Sequence, residues 1–330
     1  MDWASIFENA LRAAVAKDAI VYALAAIGLN LHFGFTGLLN FGQAGFIALG
    51  AYGTAATVNY YGQSLWLGLA AALICAVLFA LLLGVPTLRL RADYLAIVTI
   101  AAAEGLRLVL RAPRFDWLTG GSEGISGFAD DFYSINPIPE GTYGFNPFRF
   151  GEDAWWLIIV GWGLVAASTL LVWALMRSPW GRVLKSIREN EDAARSLGKN
   201  VYSYKMQSLV LGGVIGALGG FINAVATRSV QPDNFGTAIT FFIYTALILG
   251  GTARIWGPIV GSMMFWMLLS FTDNFLRQAV ANDHVPTSIM TGIQVGQVRF
   301  MLVGLGLALL MIFRPQGMFG NRREMQLDAR

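Results

Sequence analysis

Ser178-Pro-Trp-Gly-Arg-Val-Leu-Lys-Ser-Ile-Arg-Glu-Asn-Glu-Asp-Ala-Ala-Arg-Ser-Leu-Gly-Lys-Asn-Val-Tyr-Ser-Tyr-Lys205 is densely charged, in a chain that otherwise avoids charge. On either side lie apolar runs, Ala154–Met176 and Met206–Ala226. Each is long enough for a bilayer span, which takes about 20 residues. A charged connector between two spans fixes the fold class: an all-α membrane protein, a polytopic helical bundle. Composition agrees. Of 330 residues, 56% are hydrophobic and 13% charged, against about 25% charged in ordinary soluble domains. A β-barrel would show alternating ten-residue strands, and these runs are continuous.

Working outward, the remaining apolar runs are Ala19–Phe35, Ile47–Tyr60, Leu65–Val85 ending at Pro86, Tyr94–Leu110, Thr237–Leu249, Ile259–Phe271 and Val298–Phe313, with polar breaks at Arg89, Arg91 and Asp93 and over Asp273 to Gln297. About 8–10 transmembrane helices are expected. Glycines 34, 37, 42, 45, 50 and 53 predict a broken or re-entrant helix around Thr36–Phe46, because irregular backbone at membrane depth occurs where it is buried in protein or lines a cavity. The Gly-rich segments at Gly42 and Gly257 are read as matching breaks in two halves. Gly212, Gly216 and Gly220 form a small-residue face for a neighbouring helix, and Gly257 with Gly261 a second small pair. Residues 1–18 are expected to form an amphipathic surface helix rather than a cleavable signal, with Trp3, Ile6, Phe7, Ala10, Leu11, Ala14 and Val15 opposite Glu8, Asn9 and Arg12.

Basic residues collect on the cytoplasmic side. Residues 177–205 and the tail 314–330, with Arg314, Arg322, Arg323 and Arg330, are therefore expected inside. The acidic loop 114–153 is expected outside. Four spans before that loop place the N-terminus outside, whereas Arg12 and Lys17 favour inside; a re-entrant element or split helix would reconcile them. The net charge of +3 is then a topological signal, and nucleic acid is not expected as a partner.

Within 178–198 a single helix is expected. Ser178 would cap it with Pro179 in its first turn, and Gly198 would end it. Lys185–Glu189, Arg188–Asp192 and Glu191–Arg195 are four-residue charge pairs, and Val183, Ile187, Ala194 and Leu197 share a face. The bare reading is a solvated loop; the functional one is a docking element. No phosphate loop, Cys cluster or nucleophile elbow is present, and His32 and His284 lack metal-ligand spacing. No cofactor or metal is expected in this chain, and catalysis by it is disfavoured. His32 reads as a bonded packing residue, and the single cysteine, Cys75, as a small core or lipid-facing residue.

Ser186-Ile-Arg-Glu-Asn-Glu-Asp-Ala-Ala-Arg-Ser-Leu-Gly198 resembles the cytoplasmic coupling motif of ABC-importer permeases for branched-chain amino acids. Further matching pieces lie in the same order: Gly28-Leu-Asn-Leu; Gly34-Phe-Thr-Gly-Leu-Leu-Asn-Phe-Gly-Gln-Ala-Gly-Phe46; Tyr94-Leu-Ala-Ile-Val-Thr with Glu104; Leu118-Thr-Gly-Gly-Ser-Glu-Gly124; Leu249-Gly-Gly with Gly257-Pro258; and Arg314-Pro-Gln-Gly317. The resemblance spans roughly residues 20 to 320 and is nearest the M-type permease of the Liv system. Urea and short-chain amide permeases are similar. It implies a heterodimer with an H-type sister permease, two ATP-binding subunits that hold ATP and Mg, and an external substrate-binding protein, in a bacterial inner membrane. It also implies that Arg188, Glu189, Asn190, Glu191, Ala194, Leu197 and Gly198 couple to the ATPase. Asn30, Asn40, Gln43, Glu104 and Asn223 are candidates for the translocation path, against helix–helix glue, and Glu104 equally for an ion pair with Arg107 or Arg111. A stand-alone secondary transporter is the competing class.

Overall fold

The computed structural model describes residues 1–89, 92–282, 294–313 and Met318. Arg91, His284, Arg314-Pro-Gln-Gly317, Arg322, Arg323 and Arg330 lie outside the described residues. The helices are α1 (Trp3–Val15), α2 (Lys17–Leu29), α3 (Gln43–Tyr61), α4 (Leu65–Thr87), α5 (Ala92–Arg111), α6 (Asp116–Thr119), α7 (Asp130–Ser134), α8 (Glu152–Arg177), α9 (Pro179–Glu189), α10 (Glu191–Ser196), α11 (Val201–Thr227), α12 (Thr237–Gly250), α13 (Gly257–Ala281) and α14 (Val295–Phe313). Five stretches among the described residues are long and apolar enough to cross a membrane: α2 with the π-helical turn that follows it, α4, α8, α11 and α13. Helices α3, α5, α12 and α14 accompany them, shorter or more polar. The chain is an all-α polytopic membrane protein.

Helix α2 is the axis. Every residue from Ala19 to Leu29 is buried, as expected of a helix apolar all round and enclosed by neighbours. Its closest partner is α11, whose glycine face makes the approach possible. A Cβ on Gly212 would overlap His32 and the Gly28 carbonyl, and one on Gly216 would crowd the Gln43 amide. One on Gly220 would overlap the Ile47 carbonyl. The face therefore seats α2 and α3 together. The second small pair packs likewise: added methyls at Gly257 and Gly261 would strike Gly251 and Ala246 of the α12 end.

The four small strands are β1 (Ile125–Ser126), β2 (Thr142–Tyr143), β3 (Phe150–Gly151) and β4 (Ser229–Val230). β1 pairs antiparallel with β4, tying the 114–153 segment to the turn after α11, and β2 pairs with β3. The Leu118–Gly124 motif now has a physical reading. Gly120, Gly121 and Gly124 all have positive φ, and a side chain on Gly124 would strike Val230 O, so the turn into β1 needs glycine.

One end of the bundle carries this loop segment and the other carries α9 and α10. The start of α2 lies at the loop end: Arg12 donates to the carbonyls of Pro147 (2.7 Å) and Arg149 (2.8 Å), and the Trp162 indole donates to Val15 O. Loop carbonyls thus hold Arg12 beside the 114–153 segment. Helix α1 forms as expected but lies along α13 rather than free: Ile6, Ala10 and Ala14 are buried, Phe7 packs on Phe271 and Trp3 on Phe275, and Asn9 bonds Asn274. That contact carries α13 to Ala281, well past the expected polar break at Asp273. Helix α4 likewise continues through Pro86 to Thr87, since Pro86 falls in its last turn.

Candidate functional site

The helix break falls where the glycines place it. Residues Asn30–Phe35 form a π-helical turn, the chain opens, and α3 starts at Gln43 after Gly42. Polar side chains gathered from distant parts of the sequence satisfy the loosened backbone. Asn30 donates to Arg254 O (2.8 Å) and accepts from the Ala253 N–H (2.9 Å). Thr36 donates to Leu31 O and meets Ser208 at 2.7 Å. The Phe41 N–H donates to Thr99 (3.0 Å) and the Ala44 N–H to Thr240 (3.0 Å). The Tyr244 hydroxyl donates to Asn40 O.

His32 lies at the centre, fully buried. The Leu209 carbonyl at 3.1 Å can only accept, so Nε2 carries the proton. Nδ1 then accepts from the Asn40 amide at 3.0 Å. Asn40 Oδ1 takes the Gly42 N–H (2.9 Å), which fixes the amide orientation, and Gln43 donates to Ala25 O (3.2 Å). Asn30, Asn40 and Gln43 are thus brought together, each 1% exposed or less. Together they close the breach. The second Gly-rich break, residues 251–256, touches the first through Ala253 and Arg254, so the two breaks meet. Thr36, Thr99, Ser208, Thr240 and Tyr244 belong to this node. Lone hydroxyls in apolar runs were their only sequence signal.

The other path candidates lie elsewhere. Asn223 is half-buried on α11, its carbonyl taking the Thr227 hydroxyl. Glu104 is held by Arg107 at 2.6 Å, and Arg107 also reaches Asp233 at 2.7 Å.

The charged stretch forms two helices. Asn190 (φ −157°, ψ 105°) breaks the expected single helix and caps α10, accepting from the Ala193 N–H at 2.9 Å. The break separates Arg188 from Asp192, and Arg188 instead donates to Gly34 O in the π-helical turn at 2.6 Å. Ser178 stands at the start of α9, but its hydroxyl donates back to Leu175 O rather than capping. Ile187, Ala194 and Val201 form a buried root, with Val183 packed against it. Glu191 pins that root through Lys205 and Arg195. Leu197, expected on the same face, is 80% exposed: the turn at Asn190 swings it outward. Gly198 ends α10 with φ +74°. Glu189, Asn190 and Asp192 are exposed. Beside this contact a cavity of about 240 Å³ lies between the arm and the breach, lined by Thr36, Gly37, Arg188, Glu191 and Lys205 among others.

At the loop end, Arg228 joins Asp153 (2.6 Å) and lies over the Tyr133 ring at 4.1 Å. Burial raises the Tyr133 phenol above its ordinary range, and Arg228 opposes this. Among the described residues no group of three or more His, Cys, Asp or Glu is placed to hold a metal ion.

Fold and site together define a polytopic membrane protein whose central helix is breached and whose charged arm contacts the breach. Residues 11–295 match the family model described as branched-chain amino acid transport system / permease component. The high-affinity branched-chain amino acid transport system permease protein LivM of Escherichia coli K12 is 30% identical, over 94% of this chain and 70% of its own length. The probable LivM of Methanocaldococcus jannaschii is 24% identical, over 92% and 91%. The nucleoside ABC transporter permease NupC of Lactococcus lactis is 27% identical, over 76% of each. Among solved structures, PsaBC from Streptococcus pneumoniae in complex with Fab aligns over 94% of this chain and 92% of its own at 15% identity and a TM-score of 0.43, too distant to bear on the site. The chain belongs to the family of branched-chain amino acid transport system permease components. It is a transport subunit of the membrane, part of a transporter complex.

Proposed function

We propose that this chain is one membrane half of an ATP-driven importer of leucine, isoleucine, valine or closely related amino acids. Its expected companions are an H-type sister permease, two ATP-binding subunits that hold ATP and Mg, and an external binding protein that delivers substrate at the loop end. The arm, with Glu189, Asn190, Glu191, Ala194, Leu197 and Gly198, receives the ATPase on the cytoplasmic side, where the C-terminus also lies, in a bacterial inner membrane. Names of relatives support the substrate class, since two of the best matches are branched-chain amino acid permeases.

One observation carries the coupling reading. The arm presents an exposed tip, Asp192 and Leu197, on a buried root whose Arg188 bonds the breached helix directly. A push on the tip therefore has a short route to the one place where the central helix is not continuous. Resting alternating access on the rocking of spans about that breach is consistent with this placement. The test is purification of the full transport system through a tag on this chain. Leu197→Asp is expected to remove the ATP-binding subunits and leucine uptake while leaving the chain in the membrane. Full ATPase recovery and uptake with Leu197→Asp and Asp192→Arg combined would refute docking through this arm.

A further inference from the structure

Four charged side chains meet where α5 faces the turn between α11 and α12. Glu104, Arg107 and Arg111 fall at i, i+3 and i+7, one face of α5. Arg107 Nε donates to both Glu104 oxygens at 3.1 Å, and its Nη2 to Oε1 at 2.6 Å. Its Nη1 bonds Asp233 at 2.7 Å, and Arg111 reaches the same oxygen at 3.3 Å. The Arg107 side chain is 16% exposed, that of Glu104 36%, and those of Arg111 and Asp233 about half. The quartet is thus closed on one side and open on the other. Beside Gly105 the surface is empty, with nothing within 4 Å of an added Cβ. Below Asp233, Tyr52 packs edge-on against Phe235. Its hydroxyl, in a residue 3% exposed, has no hydrogen-bond partner among the described residues.

Two arginines and two carboxylates sum to zero charge. Ionisable residues on a helix of a membrane bundle are a functional-site hypothesis by default. A molecule carrying one carboxylate and one ammonium can replace an ion pair of the quartet without changing the sum. Its carboxylate matches the guanidinium forks of Arg107 and Arg111, and its ammonium takes the acid thus released. The number of ion pairs is conserved and only the partners exchange.

We propose that Glu104, Arg107, Arg111 and Asp233 form a zwitterion-exchange site, at which the α-carboxylate and α-ammonium of a free amino acid transiently replace the Arg107–Asp233 pair. The exchange loosens α5 from the α11–α12 turn and admits substrate from the loop end. Anions, cations and uncharged amides are discriminated against, because each leaves the quartet charged or unopened. This rests on the amino-acid reading of the substrate made above.

The test is uptake of labelled leucine by cells carrying the complete transport system, with this chain replaced by variants. Membrane level is followed by immunoblot and external binding of leucine is measured separately. Arg107→Gln, Glu104→Gln and Asp233→Asn are each expected to lower the maximum rate by roughly tenfold or more, with binding by the external protein unchanged. The fourfold exchange Glu104→Arg, Arg107→Glu, Arg111→Glu and Asp233→Arg reverses every sign and keeps each pair of the quartet, and is expected to return the chain to the membrane at the parent level. It is expected not to restore uptake, because the charges then face the substrate in reversed order. Wild-type uptake by the single variants, or by the fourfold exchange, would overturn the proposal and leave the quartet a staple between helices. A parent system that carries uncharged amides or nucleosides and no amino acid would overturn the substrate reading, and the zwitterion site with it; normal leucine uptake by the parent isolates the proposal from that failure.

Discussion

The breach in the central helix and the arm at the bundle end are both irregular and polar, and they solve opposite problems. In the breach, Asn30, His32, Asn40 and Gln43 are at most 1% exposed, and each is bonded to neighbours in the bundle. In the arm, side chains are turned outward, polar and apolar alike: Asp192 is 92% exposed by side chain and Leu197 80% exposed overall. Polar atoms buried in an apolar bundle must be paired or they destabilise it. Polar atoms on an exposed arm cost nothing unpaired and are free for a partner. The two regions meet at Arg188, which bonds Gly34 O.

The comparison is broken most readily at the glycine seat of the breach. Gly220→Val is expected to cost about 3 kcal/mol or more, because the new side chain meets the Ile47 backbone rather than a movable side chain; denaturant titration in mixed micelles measures it. Asn40→Ala comes next. It strands the Gly42 N–H and the His32 acceptor nitrogen, a loss of roughly 2–4 kcal/mol. Arg188→Ala should cost about 1.5 kcal/mol, one charge-assisted bond to a carbonyl, and reduce uptake while ATPase subunits still co-purify. Glu191→Gln, at a partly exposed side chain beside the root, is expected to change stability by only about 0.2–1 kcal/mol. If Glu191→Gln proved as damaging as Asn40→Ala in the same titration, the division between a closed node and an open arm would collapse.

Much of this was legible in the residues. Apolar runs gave the helices, glycine spacing gave the breach and its partner face, and the charged stretch gave the arm. Contacts between residues far apart in sequence were not legible. Nothing local announces that Thr99 and Thr240 receive the N–H groups of Phe41 and Ala44, or that Arg188 turns from Asp192 to Gly34. The break at Asn190 did carry a signal: Asn followed by Glu191 and Asp192, with Arg195 in the next turn, is a helix start inside a helical pattern. The four-residue charge pairing across it read as continuity and won. Among the path candidates, Asn40 and Gln43 were drawn together by the breach, whereas Glu104 stands at the loop end in an ionic cluster. Residue type alone could not separate these roles.

The glycine seat has a mechanical consequence. Backbone presses on backbone where Gly212 meets Gly28 and where Gly220 and Gly50 meet Ile47 and Ala217, leaving little side-chain cushion at these points. Helices α2, α3 and α11 therefore behave as one stiff plate. A displacement of any one of the three would have to move the other two with it.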